Sequence, residues 1–266
     1  MTVFDKTWNT LNLEVIDHTL VVTLDRVGRM NAISPEMLGE LAQVWDRFER
    51  EESLRVAVVT GAGSKAFCAG ADVSSVADKS RARTGVFERE NSFTPLQAKV
   101  TKPTICAVNG VCAGGGLHFV ADTDFTIAAD SATFVDPHVS VGQVSAIETM
   151  VLARRIPHQA VMRMMLLGRA EKLSAQRALE LGMVTEVMPA NRLRERALEL
   201  AAVIASNSPD AIAASRACIW DALERPLHDA IRLAWPVLRA HGDNHPDAQE
   251  GPKAFFEKRP ANWTVE

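Results

Sequence analysis

Asn109-Gly110-Val111-Cys112-Ala113-Gly114-Gly115-Gly116-Leu117-His118 gathers more features able to do chemistry than any other stretch of this 266-residue chain. Three consecutive glycines at a strand-to-helix turn let the backbone approach a ligand closely and leave N–H groups pointing outward. The helix start that Leu117 to Ala121 implies adds a positive partial charge at the same place. That combination suits an oxygen that becomes negative during a reaction. The same glycines would also serve a turn packed only for shape, and the run alone does not choose between the two. A second small-residue turn, Ala66 to Asp72 (AFCAGAD), follows another apolar run. The chain has no tyrosine, so a phenolic acid or oxyanion donor is excluded.

The elements that must position these turns can be read in order. Leu11, Leu13 and Val15, then Leu20, Val22 and Leu24, alternate with polar residues around Asp17-His18 and predict a β-hairpin with one buried face. Arg26 to Ala32 reads as a loop. Ser34-Pro35 is an N-cap followed by proline at the first helical position, opening a helix to about Glu51 with Leu38, Leu41, Ala42, Trp45 and Phe48 on one stripe. Val56 to Val59 is continuously apolar, the mark of a strand covered on both faces. Ser74 to Asn91 is polar, with a helix expected after Gly85, and reads either as a solvated loop or as a lid. Further strands are expected at Ile105 to Val108, Phe125 to Ala129 and Thr133 to Val135. Beyond Val144 the pattern turns helical, with a short helix from Ser174 to Leu181 stopped by Gly182 and a strand-like Met183 to Val187. Helices follow at 191–206, 208–223, 226–240 and 246–257. The fold class is therefore α/β, with ligands expected at strand ends and helix starts.

Composition narrows the function classes. Net charge is −4 with no basic block, which disfavours nucleic acid and anionic membranes as partners. No run of about 18 apolar residues suggests a membrane span. The four cysteines (Cys68, Cys106, Cys112, Cys218) have neither metal-site nor disulfide-framework spacing, and the first residues lack a signal core. A reduced, cytoplasmic setting without a bound metal is expected.

Five segments in this order resemble the crotonase superfamily, the enoyl-CoA hydratase/isomerase family: RMNAISPEML (29–38), KAFCAGADV (65–73), NGVCAGGGL (109–117), LGRAEKLSAQRALELGMVTEVMP (167–189) and EGPKAFFEKRP (250–260). The resemblance implies a crotonase-like ββα spiral core over 1–190 and a C-terminal helical trimerisation region over 191–266. It implies an enolate made from an acyl-CoA thioester, bound by the backbone N–H groups of Ala71 and Gly115. It places coenzyme A, as part of the substrate and not as a cofactor, along Met30, Ala32, Ala69, Asp72 and Val73. Lys258 would meet its phosphates or else be a solvated tail lysine. A homotrimer or dimer of trimers is implied, which would cover Ile231, Leu233, Ala234, Trp235 and Leu238; intramolecular packing would cover them equally.

This chain departs from the family where hydratases carry two glutamates. The corresponding positions are His118 and His138. Hydration needs a base for water and an acid for carbon, and imidazole can serve as either near neutral pH. His118, in the first turn of a helix, is expected to be held neutral by the dipole, which leaves His138 as the better base. Asp136, or Glu148 ten residues past His138, would give acidic help. A histidine followed by an acid on the next helix also resembles the branch of the family that hydrolyses cyclic β-diketones. The expected activity is thus a lyase or isomerase of the enoyl-CoA hydratase type with catalytic His118, His138 and Glu148. The alternatives are hydrolysis of a β-diketone carbon–carbon bond or a thioester by His138, and thioester binding with little catalysis.

Overall fold

The computed structural model describes residues 4, 7–72 and 92–264. The polar segment 74–91 and its expected helix, like Val73, lie outside the described residues.

Strands β1 (Leu11–Ile16) and β2 (Thr19–Leu24) form the expected hairpin, with Leu11 opposite Leu24. Only β1 has an exposed side. In β2 both Val21 and Val22 are buried, because β3 (Val56–Gly61) pairs along its other edge and the sheet is covered on both faces. The helix α1 (Pro35–Arg50) begins as expected, with the Ser34 hydroxyl accepting from the N–H of Met37. Its buried stripe runs through Met37, Leu41, Val44, Trp45 and Phe48.

After β3 the chain alternates between two sheets. β4 (Ala66–Cys68), β6 (Val111–Ala113) and β8 (Thr133–Val135) enter a four-stranded sheet closed by β9 (Leu173–Ser174). β5 (Thr104–Val108), β7 (Phe125–Ala129) and β10 (Glu186–Met188) extend the larger one in the order β1-β2-β3-β5-β7-β10. Successive strand pairs β3/β4, β5/β6 and β7/β8 each put one strand in each sheet, which is the expected ββα spiral. Two short strands, β4 and β6, fall inside segments that the sequence presents as turns.

Helix α2 (Leu117–Asp122) follows β6, and α3 (Ile147–Arg155), α4 (His158–Leu167) and α5 (Ala175–Glu180) follow β8. Helix α6 (Leu193–Ala205) lays Ala197, Ala201 and Ala205 against the six-stranded sheet, where small side chains allow close approach. The remaining helices are α7 (Pro209–Ala222), α8 (Leu227–Asn244) and α9 (Asp247–Glu257). Arg216 and Trp220 of α7 both donate to Asp124 Oδ1, at 2.7 and 2.8 Å, just before β7. No helix among the described residues is long and apolar enough to cross a membrane.

Two buried groups hold α2 in place. Arg155 of α3 donates to the carbonyls of Val120, Ala121, Thr123 and Asp124, closing the helix C-terminus. Asp122 is fully buried and accepts from Thr94 at 2.6 Å. Burial pushes its carboxyl from 3.8 up to about 6, against the hydrogen bonds from Thr94 and Gln97. The folded state therefore prefers protonated Asp122. Its contribution is fully present below pH 3.8 and is lost as the pH rises through about 6, a change of roughly 3 kcal/mol. Asp122→Asn cannot titrate, so its urea midpoint is expected to fall less than the parent's between pH 4 and 6. Equal slopes in the two proteins would overturn this assignment.

Candidate active site

Gly70 has φ +93°, and a Cβ there would stand 3.0 Å from Ala113 O and 3.3 Å from Gly115 N. Only glycine permits this approach, which sets the turn after β4 against the turn after β6. Ile33 N–H donates to Gly70 O, and Asp72 N–H donates to Ile33 O. In such a parallel bridge the intervening residue's own N–H is not spent on its partner, and Ala71 N lies 3.4 Å from where a Cβ on Gly115 would stand. Gly115 is the middle residue of a 3₁₀ turn, Gly114–Gly116, whose opening N–H groups have no intrahelical acceptor. The two expected oxyanion donors are thus brought together, on a turn that Leu117 N–H closes by bonding to Gly114 O and Gly115 O.

His138 stands beside this turn. A Cβ on Gly114 would lie 3.5 Å from His138 Cε1 and 3.7 Å from its Nε2. His138 opens a 3₁₀ turn, His138–Val141, shortly after β8. Its Nδ1 lies 2.6 Å from Asp136 Oδ1, an oxygen that also accepts from the His138 backbone N–H at 3.1 Å. Ser145 Oγ donates to Asp136 Oδ2. Glu148, in the first turn of α3, is buried between the two histidines. Its Oε1 is 3.2 Å from His138 Nδ1 and its Oε2 is 3.2 Å from His118 Nε2.

The environments of these four groups push them apart. Asp136 resists the burial that would raise it, because His138 and Ser145 both donate to it, and its carboxyl is held below the usual range. The hydrogen bond to Asp136, opposed by burial and aided by Glu148, holds His138 above its ordinary value. Burial raises Glu148. Burial, followed by the charge that His138 can carry, depresses His118 to about 4 even with Glu148 nearby. The direction for His118 matches the sequence expectation, but the cause does not. α2 has only six residues, and desolvation, reinforced by the Phe93 ring 5.2 Å away, outweighs any dipole.

Four of the expected coenzyme-lining residues, Met30, Ala32, Ala69 and Asp72, form one patch. Ala69 N–H donates to Met30 O, while Arg26 donates to Ala32 O at 2.5 Å and pairs with Asp72 at 2.9 Å. Arg26 and Asn31, which ties the loop to Ala62 O and Ala66 O, carry this patch and were not singled out in the sequence. Met30 and Asn31 have φ near +50°, a local sign of a shaped loop that polar spacing does not reveal. Lys258 is exposed at the left-handed C-cap of α9. Asp136, Glu148 and His138 also lie within chelating distance of one another, and a hydrogen bond accounts for the 2.6 Å Asp136–His138 separation.

Comparison with known proteins gives the family. The family model described as enoyl-CoA hydratase/isomerase matches residues 16–266. An (E)-benzylidenesuccinyl-CoA hydratase of Thauera aromatica is 35% identical over 94% of this chain and 96% of its own. A carnitinyl-CoA dehydratase of Proteus mirabilis is 34% identical over 95% and 97%. A solved enoyl-CoA hydratase/isomerase from Mycobacterium paratuberculosis superimposes with a TM-score of 0.91 at 39% identity, covering 98% of this chain and 100% of that one.

Proposed function

Because this chain belongs to the enoyl-CoA hydratase/isomerase family and is an acyl-CoA enzyme of that type, we propose that it interconverts a thioester and its α,β-unsaturated partner through an enolate, with His138 as the base. His138 Nε2 takes the proton from Cα, and the electron pair moves onto the thioester oxygen between the N–H groups of Ala71 and Gly115. The β-substituent then leaves as water after receiving a proton from Glu148, and addition follows the reverse path. Glu148, whose carboxyl burial raises and which touches both imidazoles, fills the second proton-handling role that the family's glutamates leave open here. His118, held neutral, keeps Glu148 in place.

The observation that carries the reading is the placement of the His138 Nε2 edge against Gly114, one residue from an oxyanion donor. Met30, Ala32, Ala69 and Asp72 would follow the pantetheine, with Val73 continuing the segment and Lys258 at the phosphates. Exposed Ile219, Ile231, Leu233, Trp235 and Leu238 on α7 and α8 support a homotrimer, single or doubled. The His138–carboxylate pairing also fits attack of water on a β-diketone, so that substrate class belongs in the test.

The test is deuterium exchange at Cα of saturated and unsaturated acyl-CoAs, followed by mass spectrometry, with cyclic β-diketones alongside. Incorporation into a thioester is the expected result. Turnover of a β-diketone with no thioester exchange would replace this reading with the hydrolase.

A further inference from the structure

Two carboxylates approach one ring nitrogen of His138, and the geometry separates their duties. We propose that Asp136, itself held by Ser145, is a positioning residue that fixes His138 with Nδ1 as donor and Nε2 as the working nitrogen, leaving Glu148 free to carry the second proton. This inference rests on the enolate reading for its consequence in turnover, but not for its consequence in the imidazole itself.

The hydrogen-bond inventory argues for it. Asp136 is completely buried, and its three partners, the His138 backbone N–H, His138 Nδ1 and Ser145 Oγ, can all act as donors. A buried carboxyl surrounded by donors is favoured as the carboxylate, which accepts only. His138 Nδ1 must then carry a proton, and Nε2 is the lone-pair nitrogen. Glu148 Oε1 is 0.6 Å farther from Nδ1 (3.2 against 2.6 Å) and has no hydrogen-bond partner among the described residues. An Nδ1–H aimed at Asp136 cannot also be well aligned on Glu148.

The anchorage of Asp136 is stiff on both sides. Pro137 separates it from His138 and restricts φ in the link, here −86°. With its proton on Asp136, Ser145 Oγ can accept from the Thr149 hydroxyl of α3, 3.2 Å away, a hydroxyl that otherwise turns to Ala146 O at 3.0 Å. Asp136 is therefore tied to the helix that carries Glu148, and both carboxylates move with one element. The groups facing His138 are Asp136 and Ser145 along its own loop, Glu148 from α3, the backbone of Gly114, and His118 beyond Glu148 on α2.

Asp136→Asn and Ser145→Ala test the assignment. In Asp136→Asn the negative partner is gone, so His138 should titrate at lower pH in a ring-nitrogen NMR experiment, and the Nδ1–H tautomer should lose its dominance. The base must be neutral to act, so activity rises with pH through the His138 titration. The acid limb of the kcat/KM profile should therefore move to lower pH, while the plateau of kcat falls roughly 100-fold with KM changed little. Ser145→Ala keeps the charge but removes a competing donor from Asp136, so His138 should titrate at slightly higher pH and the acid limb should follow it; it serves if Asp136→Asn does not fold.

Unchanged titration and tautomer of His138 in either folded variant would overturn the positioning role, even if kcat dropped, because a merely structural defect lowers kcat without moving the limb. Failure of the enolate reading looks different. There, wild-type protein shows no thioester exchange, while the NMR titration still judges Asp136.

Discussion

His138→Ala lowers Cα exchange by roughly 10²–10⁴-fold, the range expected when a positioned general base is removed. The pocket should survive the substitution. His138 is partly exposed, and Asp136 keeps the Ser145 hydroxyl and the backbone N–H of residue 138 as donors. The Ala71 and Gly115 amides belong to turns that do not depend on the imidazole. Bound acyl-CoA should therefore still raise the melting temperature, as any ligand of the native state must. Loss of exchange with retained ligand stabilisation is the combination that identifies a base. An exchange rate within a few-fold of wild type would remove His138 from the mechanism, and His118→Ala would then be measured in its place.

Gly116→Ala is expected to damage both stability and the site. A Cβ there would stand 2.7 Å from Cys68 O, 3.0 Å from Cys68 Cβ and 3.3 Å from Cys112 Sγ. The first of these is backbone of β4 and cannot swing aside, so β4 and the turn after β6 must separate. Overpacking of this kind costs about 3 kcal/mol, or a fall in Tm of about 6–12 °C for a chain of this size. Separating these segments also moves Ala71 away from Gly115, so the folded fraction should lose kcat as well. Gly39→Ala is the control. Nothing lies within 4 Å of a Cβ at that exposed position in α1, and alanine there should stabilise by up to about 1 kcal/mol. Thermal unfolding of both variants is the measurement, and a Gly116→Ala protein as stable as the parent would show that the two segments are not in obligatory contact.

Much of this architecture was legible because it rests on local chemistry. Ser34-Pro35, Ser174 and Ser208-Pro209 each cap the helix expected of them, through hydrogen bonds three residues long. The two turns packed against each other at Gly70 and at Gly114–Gly116 were legible through their glycines. Strands β4 and β6 were not, because three residues carry no period and their pairing, Ala66 with Val111 and Cys68 with Cys112, joins positions more than 40 residues apart. The same limit concealed the burial of the second face of β2, whose alternating pattern suggested only one. In the site, Glu148 was legible only as a distance along the chain, and its burial between two imidazoles is a property of how α3 packs on α2. Asp136 was visible as an acid near His138, yet nothing in Asp-Pro-His says which carboxylate the ring will choose. That choice depends on Ser145, nine residues away.

Asp124 gives the tail of the chain a bearing on its centre. Its Oδ1 is gripped by Arg216 and Trp220 of α7, while its Oδ2 accepts from the Thr104 N–H at the start of β5. Its carbonyl is one of the four that Arg155 gathers behind the helix bearing His118, and Arg155 in turn lies over the Trp220 ring. The C-terminal helices are thus not an interchangeable module. A tail grafted from another protein would have to bring a guanidinium and an indole to the same two places, or the helix behind the oxyanion turn would lose its backing.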